Sequence, residues 1–313
     1  MKTGSEKKGE MMAFRILEIS HPAELHTQRG ELRVIQPEHD ELKIPLDDLY
    51  AISLIGPGIS VSSLALSDIA SRGIAVVCCN RQYMPEALSL PLVANSRQSA
   101  VIEKQITASD SFNGLLWQRI VRSKIENQAR ALTLLGLPGF DEILNLSDSV
   151  LLGDSSNVEG EAARRYFKEY MPSLSRREET PVNSALNYCY AIVRTTMARS
   201  LVATGFLCAK GLHHANQFNP YNLADDLMEP FRPTVDLLVK EIEPQRLLLS
   251  QKERKQLLEV LFYEVALNGK TVTVAHAIDL QVESLNYAIG CTDETKLLLP
   301  QVIAPKVADI FER

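Results

Sequence analysis

The chain has 313 residues, 45% of them hydrophobic and 23% charged, with a formal net charge of −6. Those proportions exclude a disordered or fibrous protein, and the length allows a sizeable core or two ordinary domains. The acidic balance excludes a uniformly basic surface, so a polyanion must meet a local basic patch.

Residues 1–12 open with the polar stretch MKTGSEKKGE and read as a disordered leader. From Phe14 to about Leu92, apolar residues alternate in short runs (Ile16; Leu32, Val34; Leu42, Ile44) broken by Pro22, Gly30, Pro37 and Pro45, the pattern of strands and hairpins. Leu49–Ile55 and Ile74–Cys79 are continuously apolar and predict buried strands. Between them Ser60–Ala70 has helical spacing, stopped by Gly73. Beyond the boundary near Val93–Ser99 the period changes to about 3.6. It predicts helices over residues 102–135, over a segment after Glu159 carrying Arg164, Arg165, Lys168, Arg176 and Arg177, and over Asn183–Thr204, Leu237–Lys240, Gln251–Leu267 and Lys296–Phe311. Thr271–Val274 is a short strand-like pair. The expected fold is therefore α+β in two domains: a small β-rich N-terminal domain (13–95) and a larger all-α C-terminal domain (96–313).

Five cysteines, Cys78, Cys79, Cys189, Cys208 and Cys291, lack CxxC spacing and read as reduced thiols, mostly core, the adjacent Cys78 and Cys79 being inert strand residues. No apolar run reaches the roughly 18 to 20 residues that span a bilayer, and no signal peptide is visible, which predicts a cytoplasmic protein without membrane association. Trp117 lies beside Arg119, Arg122, Lys124 and Arg130, either buried beneath a solvated cationic face or part of a nucleic-acid surface.

The stretch Gly211–Asp236, GLHHANQFNPYNLADDLMEPFRPTVD, concentrates polar chemistry. If Asn222–Phe231 is helical, Asp226 and Asp225 each share a face with Glu229. Carboxylates stacked among Leu223, Leu227 and Phe231 repel unless a cation lies between them. A solvated acidic face offset by Arg232 is the plain alternative. His213 and His214 precede the helix by a loop able to fold back, and carboxylates with one imidazole suit Mg²⁺ or Mn²⁺ better than structural zinc. Asn216, Gln217, Asn219 and Asn222 can cap helices or contact phosphate.

Two separated motifs carry a family resemblance. Glu159-Gly160, Ala162-Ala163-Arg164, Tyr166 and Phe167, followed by GLHH, N-F-N and DLMEPFRP, resemble the CRISPR adaptation integrase, the number-one CRISPR-associated protein. RILEIS, RGEL, KIENQA (Lys124–Ala129) and LNYCYAIVRT (Leu186–Thr195) extend the likeness from Met12 over nearly the whole chain, particularly to the branch accompanying single-effector, RNA-guided nucleases of type II. The resemblance implies a β-rich dimerisation domain, a helical catalytic domain, and a homodimer joined to a small ferredoxin-like partner. It implies a metal-dependent endonuclease and integrase that inserts fragments of double-stranded DNA with single-stranded 3′ ends as spacers into CRISPR repeat DNA, by attack of a 3′-hydroxyl on a phosphodiester. Carried onto this chain, the catalytic and metal residues are Glu159, His214 and Glu229, the last an aspartate in many relatives. Asp226 is a fourth candidate ligand, and Glu161 and His213 are the alternatives to Glu159 and His214. Arg164, Arg165, Lys168, Asn219 and Arg232 are candidate DNA contacts. A non-catalytic DNA-binding scaffold and an unrelated metal-dependent phosphohydrolase are the competing readings; no GxxxxGK[ST] loop supports the second.

Overall fold

The computed structural model describes residues 15–91 and 95–307. The expected leader, Phe14, part of the expected boundary and residues 308–313 lie outside them.

The first segment runs β1 (Arg15–Ile19), β2 (Ala23–Gln28), β3 (Glu31–Ile35), β4 (Leu42–Pro45), β5 (Leu49–Leu54), β6 (Ile59–Val61), α1 (Ser63–Ser71), β7 (Ala75–Cys79) and β8 (Pro85–Ser89). They form two four-stranded sheets, ordered β1-β5-β7-β8 and β4-β3-β2-β6. The two continuously apolar strands, β5 and β7, pair parallel at the centre of the first sheet, where burial on both faces removes any need for alternation. Ser62 accepts from the Ala65 N–H and starts α1 three residues later than expected from Ser60. Leu25, Leu32, Val34, Ile52, Ile69 and Val76 fill a core under these strands.

The second segment runs α2 (Gln98–Thr107), α3 (Asp110–Leu134), α4 (Phe140–Ser147), α5 (Val158–Tyr170), α6 (Pro181–Thr204), α7 (Asn222–Met228), a 3-10 turn (Glu229–Phe231), α8 (Arg232–Ile242), α9 (Gln251–Leu258), β9 (Tyr263–Leu267), β10 (Lys270–Thr273), α10 (Val274–Cys291) and β11 (Gln301–Val307). The N-terminal region is thus β-rich and the C-terminal region mostly helical, but the latter is not all-α. The helix expected over Gln251–Leu267 ends at Leu258, and β9 becomes the centre of an antiparallel sheet, β10-β9-β11. The cause is the Asn268-Gly269 turn, both residues at positive φ (49° and 75°), a strong hairpin signal. The helix expected over Lys296–Phe311 is instead an irregular stretch followed by strand β11 in its described part, because Pro300 and Pro305 cannot sit inside a helix. A helix the periodicity did not predict, α10, follows directly from a Thr273 cap. Arg176 and Arg177 are not on the helix after Glu159, which stops at Tyr170.

Cys189 and Cys208 are buried, but Cys78 and Cys291 are exposed and Cys79 is half-buried, so the expectation of mostly core thiols fails at the end of β7. Among the described residues no helix is long and apolar enough to cross a membrane. Helix α6, capped by Thr180, opened by Pro181 and ended by Gly205 at φ 100°, is central: Leu186, Tyr188, Val193, Met197 and Leu201 are all buried in the larger core. Helix α3 lies in the same core and carries the first part of the candidate site.

Candidate active site

On α3 the residues Phe112, Leu116 and Ile120 make a buried stripe at four-residue spacing, and the next position in that stripe is Lys124. Its side chain is 7% exposed and its ammonium contacts both Glu159 Oε1 and Glu229 Oε2. Burial alone would push this ammonium toward the neutral form, but the charges of Glu229 and Glu159 outweigh it and raise its pKa. Lys124 is therefore not part of the solvated cationic face expected around Trp117. Its position in an apolar stripe was the available signal.

Glu159 stands in the first turn of α5 because Asp154 builds that turn. The Asp154 carboxylate accepts from the N–H groups of Val158 at 2.8 Å and of Glu159 at 3.0 Å, satisfying two of the donors that a helix start leaves open. A Cβ on Gly160 would come within 2.8 Å of the Asn157 amide, which accounts for a glycine beside the glutamate. Glu161 points elsewhere. Arg164 and Arg165 hold it at 2.8 and 2.6 Å, and these hydrogen bonds lower its pKa to about 2.

His214 is held from behind. Asp226, fully buried, accepts the backbone N–H groups of Leu212 (2.6 Å) and His213 (3.1 Å) on one oxygen. Its other oxygen takes the His214 N–H (3.1 Å) and Nδ1 (2.6 Å). Four bonds fill the acceptor sites of the carboxylate, so the residue expected as a fourth ligand orients the imidazole instead. The hydrogen bond from Asp226 raises the His214 pKa, with Glu229 and Asp225 adding to it. Gly211 is needed for this loop: a Cβ there would lie 2.4 Å from the His214 carbonyl oxygen and 2.7 Å from Asp226 Oδ2. Trp117 is buried, as one of the two readings of it held, yet its ring stacks on His213 with centroids 4.5 Å apart and planes 3° from parallel. His213 thus braces the loop while His214 meets Asp226.

Glu229 opens the 3-10 turn that joins α7 to α8. Asn127 on α3 donates to the Pro230 carbonyl at 2.9 Å and to the Pro300 carbonyl at 2.8 Å, and accepts from the Val302 N–H at 3.1 Å, pinning the turn against β11. The Glu229 side chain is 6% exposed. Arg232 donates to its Oε1 at 2.7 Å, while Oε2 meets the Lys124 ammonium without a well-formed hydrogen bond. Burial would raise the Glu229 pKa, but Arg232 and Lys124 reverse the shift and hold it well below the usual carboxylate range.

The sequence candidates Glu159 and Glu229 are therefore brought onto one ammonium, with His214 close enough for Glu229 to act on its charge. Among the described residues no three acidic, imidazole or thiol groups already converge as a metal cluster; a lysine stands between the two glutamates. The donor set nevertheless suits a hard cation. Glu229 Oε2 is buried and met only by the Lys124 ammonium, Glu159 is 27% exposed on its open side, and fixing Nδ1 of His214 on a carboxylate leaves Nε2 as its ligating nitrogen.

The candidate DNA contacts lie in three places. Arg232 is committed to Glu229 and lies at the site, whereas Asn219 donates to Asp225 at 2.7 Å, which also meets Arg194 at 3.5 Å, and lines a separate hollow with Arg194 and Tyr221. Arg164, Arg165 and Lys168 line a hollow with Glu142 and Glu169 on the outer side of α5. There Arg165 also binds Glu142 at 2.7 Å, and Lys168 has no ion-pair partner among the described residues.

The family model described as CRISPR associated protein Cas1 matches residues 17–261. A CRISPR-associated endonuclease Cas1 from Neisseria meningitidis serogroup C is 32% identical over 94% of this chain and 98% of its own length. A second such endonuclease, from Pyrobaculum aerophilum, is 25% identical over 83% and 94%. Among solved structures, a casposase bound to integration product superposes with a TM-score of 0.73 at 17% identity, covering 95% of this chain and 96% of the casposase chain. A Cas1 protein from Thermotoga maritima gives 0.69 at 16%, covering 88% and 97%; at such identities these two speak for the fold. With the family model over most of the chain and a relative alike along nearly its whole length, the chain belongs to the Cas1 family.

Proposed function

We propose that the chain is a divalent-metal-dependent DNA endonuclease and integrase that inserts captured DNA fragments into a CRISPR array. The observation that carries this reading is the meeting of Glu159 and Glu229, distant in sequence, at one cation beside an imidazole fixed by Asp226. Glu159, Glu229 and His214 would hold Mg²⁺ or Mn²⁺. Bound there, the ion would supply Lewis acidity for a 3′-hydroxyl or water and for the charge that builds on phosphorus. The protein's own part is placement: Asp154 sets Glu159, Asn127 sets the Glu229 turn, and Asp226 sets the ring of His214. Arg232, beside Glu229, and Asn219 would contact the phosphate backbone, and Arg164, Arg165 and Lys168 would hold a further stretch of duplex. Few, focused cations on an acidic chain make such binding steeply salt-dependent.

The wider assembly belongs to the same reading. Residues 13–95 would form the dimerisation domain, residues 96–313 the catalytic domain, and the homodimer would join a small ferredoxin-like partner on double-stranded DNA with single-stranded 3′ ends. The stretches RILEIS, KIENQA and LNYCYAIVRT support placement in the branch of type II systems. The expectation that an unrelated metal-dependent phosphohydrolase is excluded also for want of an HD dipeptide fails, because the chain has one at His39-Asp40; both residues are exposed in the turn after β3, away from the candidate site residues, and lend that reading no support.

A strand-transfer assay with a repeat-bearing plasmid, the partner and Mn²⁺ tests the reading. Glu159→Gln, which keeps a polar group against Lys124, is expected to lower the rate by about three orders of magnitude or more while leaving duplex binding intact. A rate within a factor of about two of the parent would remove Glu159 from the site.

A further inference from the structure

Lys124 is the one member of the site that neither the expected ligands nor the DNA contacts account for. Its ammonium touches Glu159 Oε1 and Glu229 Oε2, the two oxygens a divalent ion would need, and it reaches them from inside the core along the Leu116–Ile120 stripe. An enclosed carboxylate (Glu229) and a partly enclosed one (Glu159) converging on one point without a cation would repel more than in water. Arg232 cannot do the same work alone, because it engages Glu229 through Oε1 and has no contact with Glu159 among the described residues.

We infer that Lys124 is a built-in counter-ion: it occupies the position between Glu159 and Glu229 when no metal is bound, keeps the empty site folded, and must withdraw from at least one glutamate for a divalent cation to enter. The inference rests on the metal-site reading above. Lys124 is in this sense a positioning residue that sets how tightly the site holds metal. The ammonium lowers apparent metal affinity by competition, since a ligand oxygen saturated by an ammonium is not free to coordinate. It also means that metal loss does not leave an unpaired buried charge, so the protein survives apo.

Isothermal titration of the full chain with Mn²⁺ alone, together with thermal melts in chelator and in Mn²⁺, tests this. Lys124→Met, similar in length and uncharged, is expected to bind Mn²⁺ more tightly by about tenfold or more. It should also melt lower than the parent in chelator and gain more from Mn²⁺ than the parent does. Lys124→Gln, which keeps a donor but no charge, covers the case in which the methionine variant does not fold without metal, and should move in the same direction. Equal or weaker Mn²⁺ binding by the variants, with the parent binding normally, overturns the competition and leaves the metal site standing. Absence of Mn²⁺ binding by the parent overturns both. Metal affinity and melting shift are independent of strand transfer, so a lysine needed only for chemistry would change activity and neither of these.

Discussion

Two buried carboxylates, one ahead of α8 and one inside it, behave in opposite ways. Glu229, just before α8, is driven below the ordinary carboxylate range; Asp236, in its middle, is pushed up to about 6. Both are buried, and burial pushes both upward. The difference is what they touch. Glu229 meets two cations directly, whereas Asp236 accepts from the Tyr190 hydroxyl with Tyr166, Arg176 and Arg232 near enough to soften burial but not to overcome it. The molecule thus stores negative charge at the site and resists it about two turns further on, and enclosure by itself distinguishes neither place.

The sharpest way to break this contrast is to remove the Glu229 charge. Glu229→Ala leaves Arg232 without its carboxylate and Lys124 with Glu159 alone, and we expect a loss of roughly 3 kcal/mol in denaturant melts. Glu229→Gln should lose clearly less, and equal losses in the two variants would mean that the ion pairs do not hold the turn. At Asp236 the expected effect is smaller and depends on pH. Its folded pKa lies above the unfolded value of 3.8, so its contribution is fully present below about 3.8 and is lost as pH rises through about 6. Asp236→Asn should therefore flatten the fall in stability between pH 4 and 7, a change on the order of 2 kcal/mol; parallel profiles would contradict the raised pKa. The last effect is expected at Asp226. Asp226→Asn keeps one acceptor oxygen but turns an NH2 toward buried N–H donors and no longer fixes the His214 ring, and should weaken Mn²⁺ binding by about tenfold with a stability loss of about 1 to 2 kcal/mol. Unchanged binding would mean that His214 needs no orienting carboxylate.

Part of this arrangement is visible in the chain itself. The two central strands show as apolar runs, α6 as a capped period, and Glu159, His214 and Glu229 through separated motifs. The local pattern misleads where a residue's partner is distant. Lys124 reads as one of several cations near Trp117 because only the packing of α3 shows that its position in the stripe is buried. Asp226 reads as a partner of Glu229 by helical spacing, yet the fold-back of Gly211–His214 offers it four nearer donors. The errors after residue 251 are of another kind: apolar residues in Tyr263–Leu267 fit a helix or a strand equally, and the arbiters were short signals, Asn268-Gly269 and Pro305, outweighed by the run of periodicity around them.

Asn127 has a consequence for the timing of assembly. Its single amide joins the Glu229 turn to residues 300 and 302, near the end of the described chain. Contacts of such long sequence separation close late. During synthesis the helices bearing Lys124 and Glu159 emerge and collapse well before β11 exists, so the Glu229 turn stays unclamped until β11 docks. A candidate metal site whose Glu229 turn is clamped only by β11 is one that chains not yet made as far as β11 do not carry.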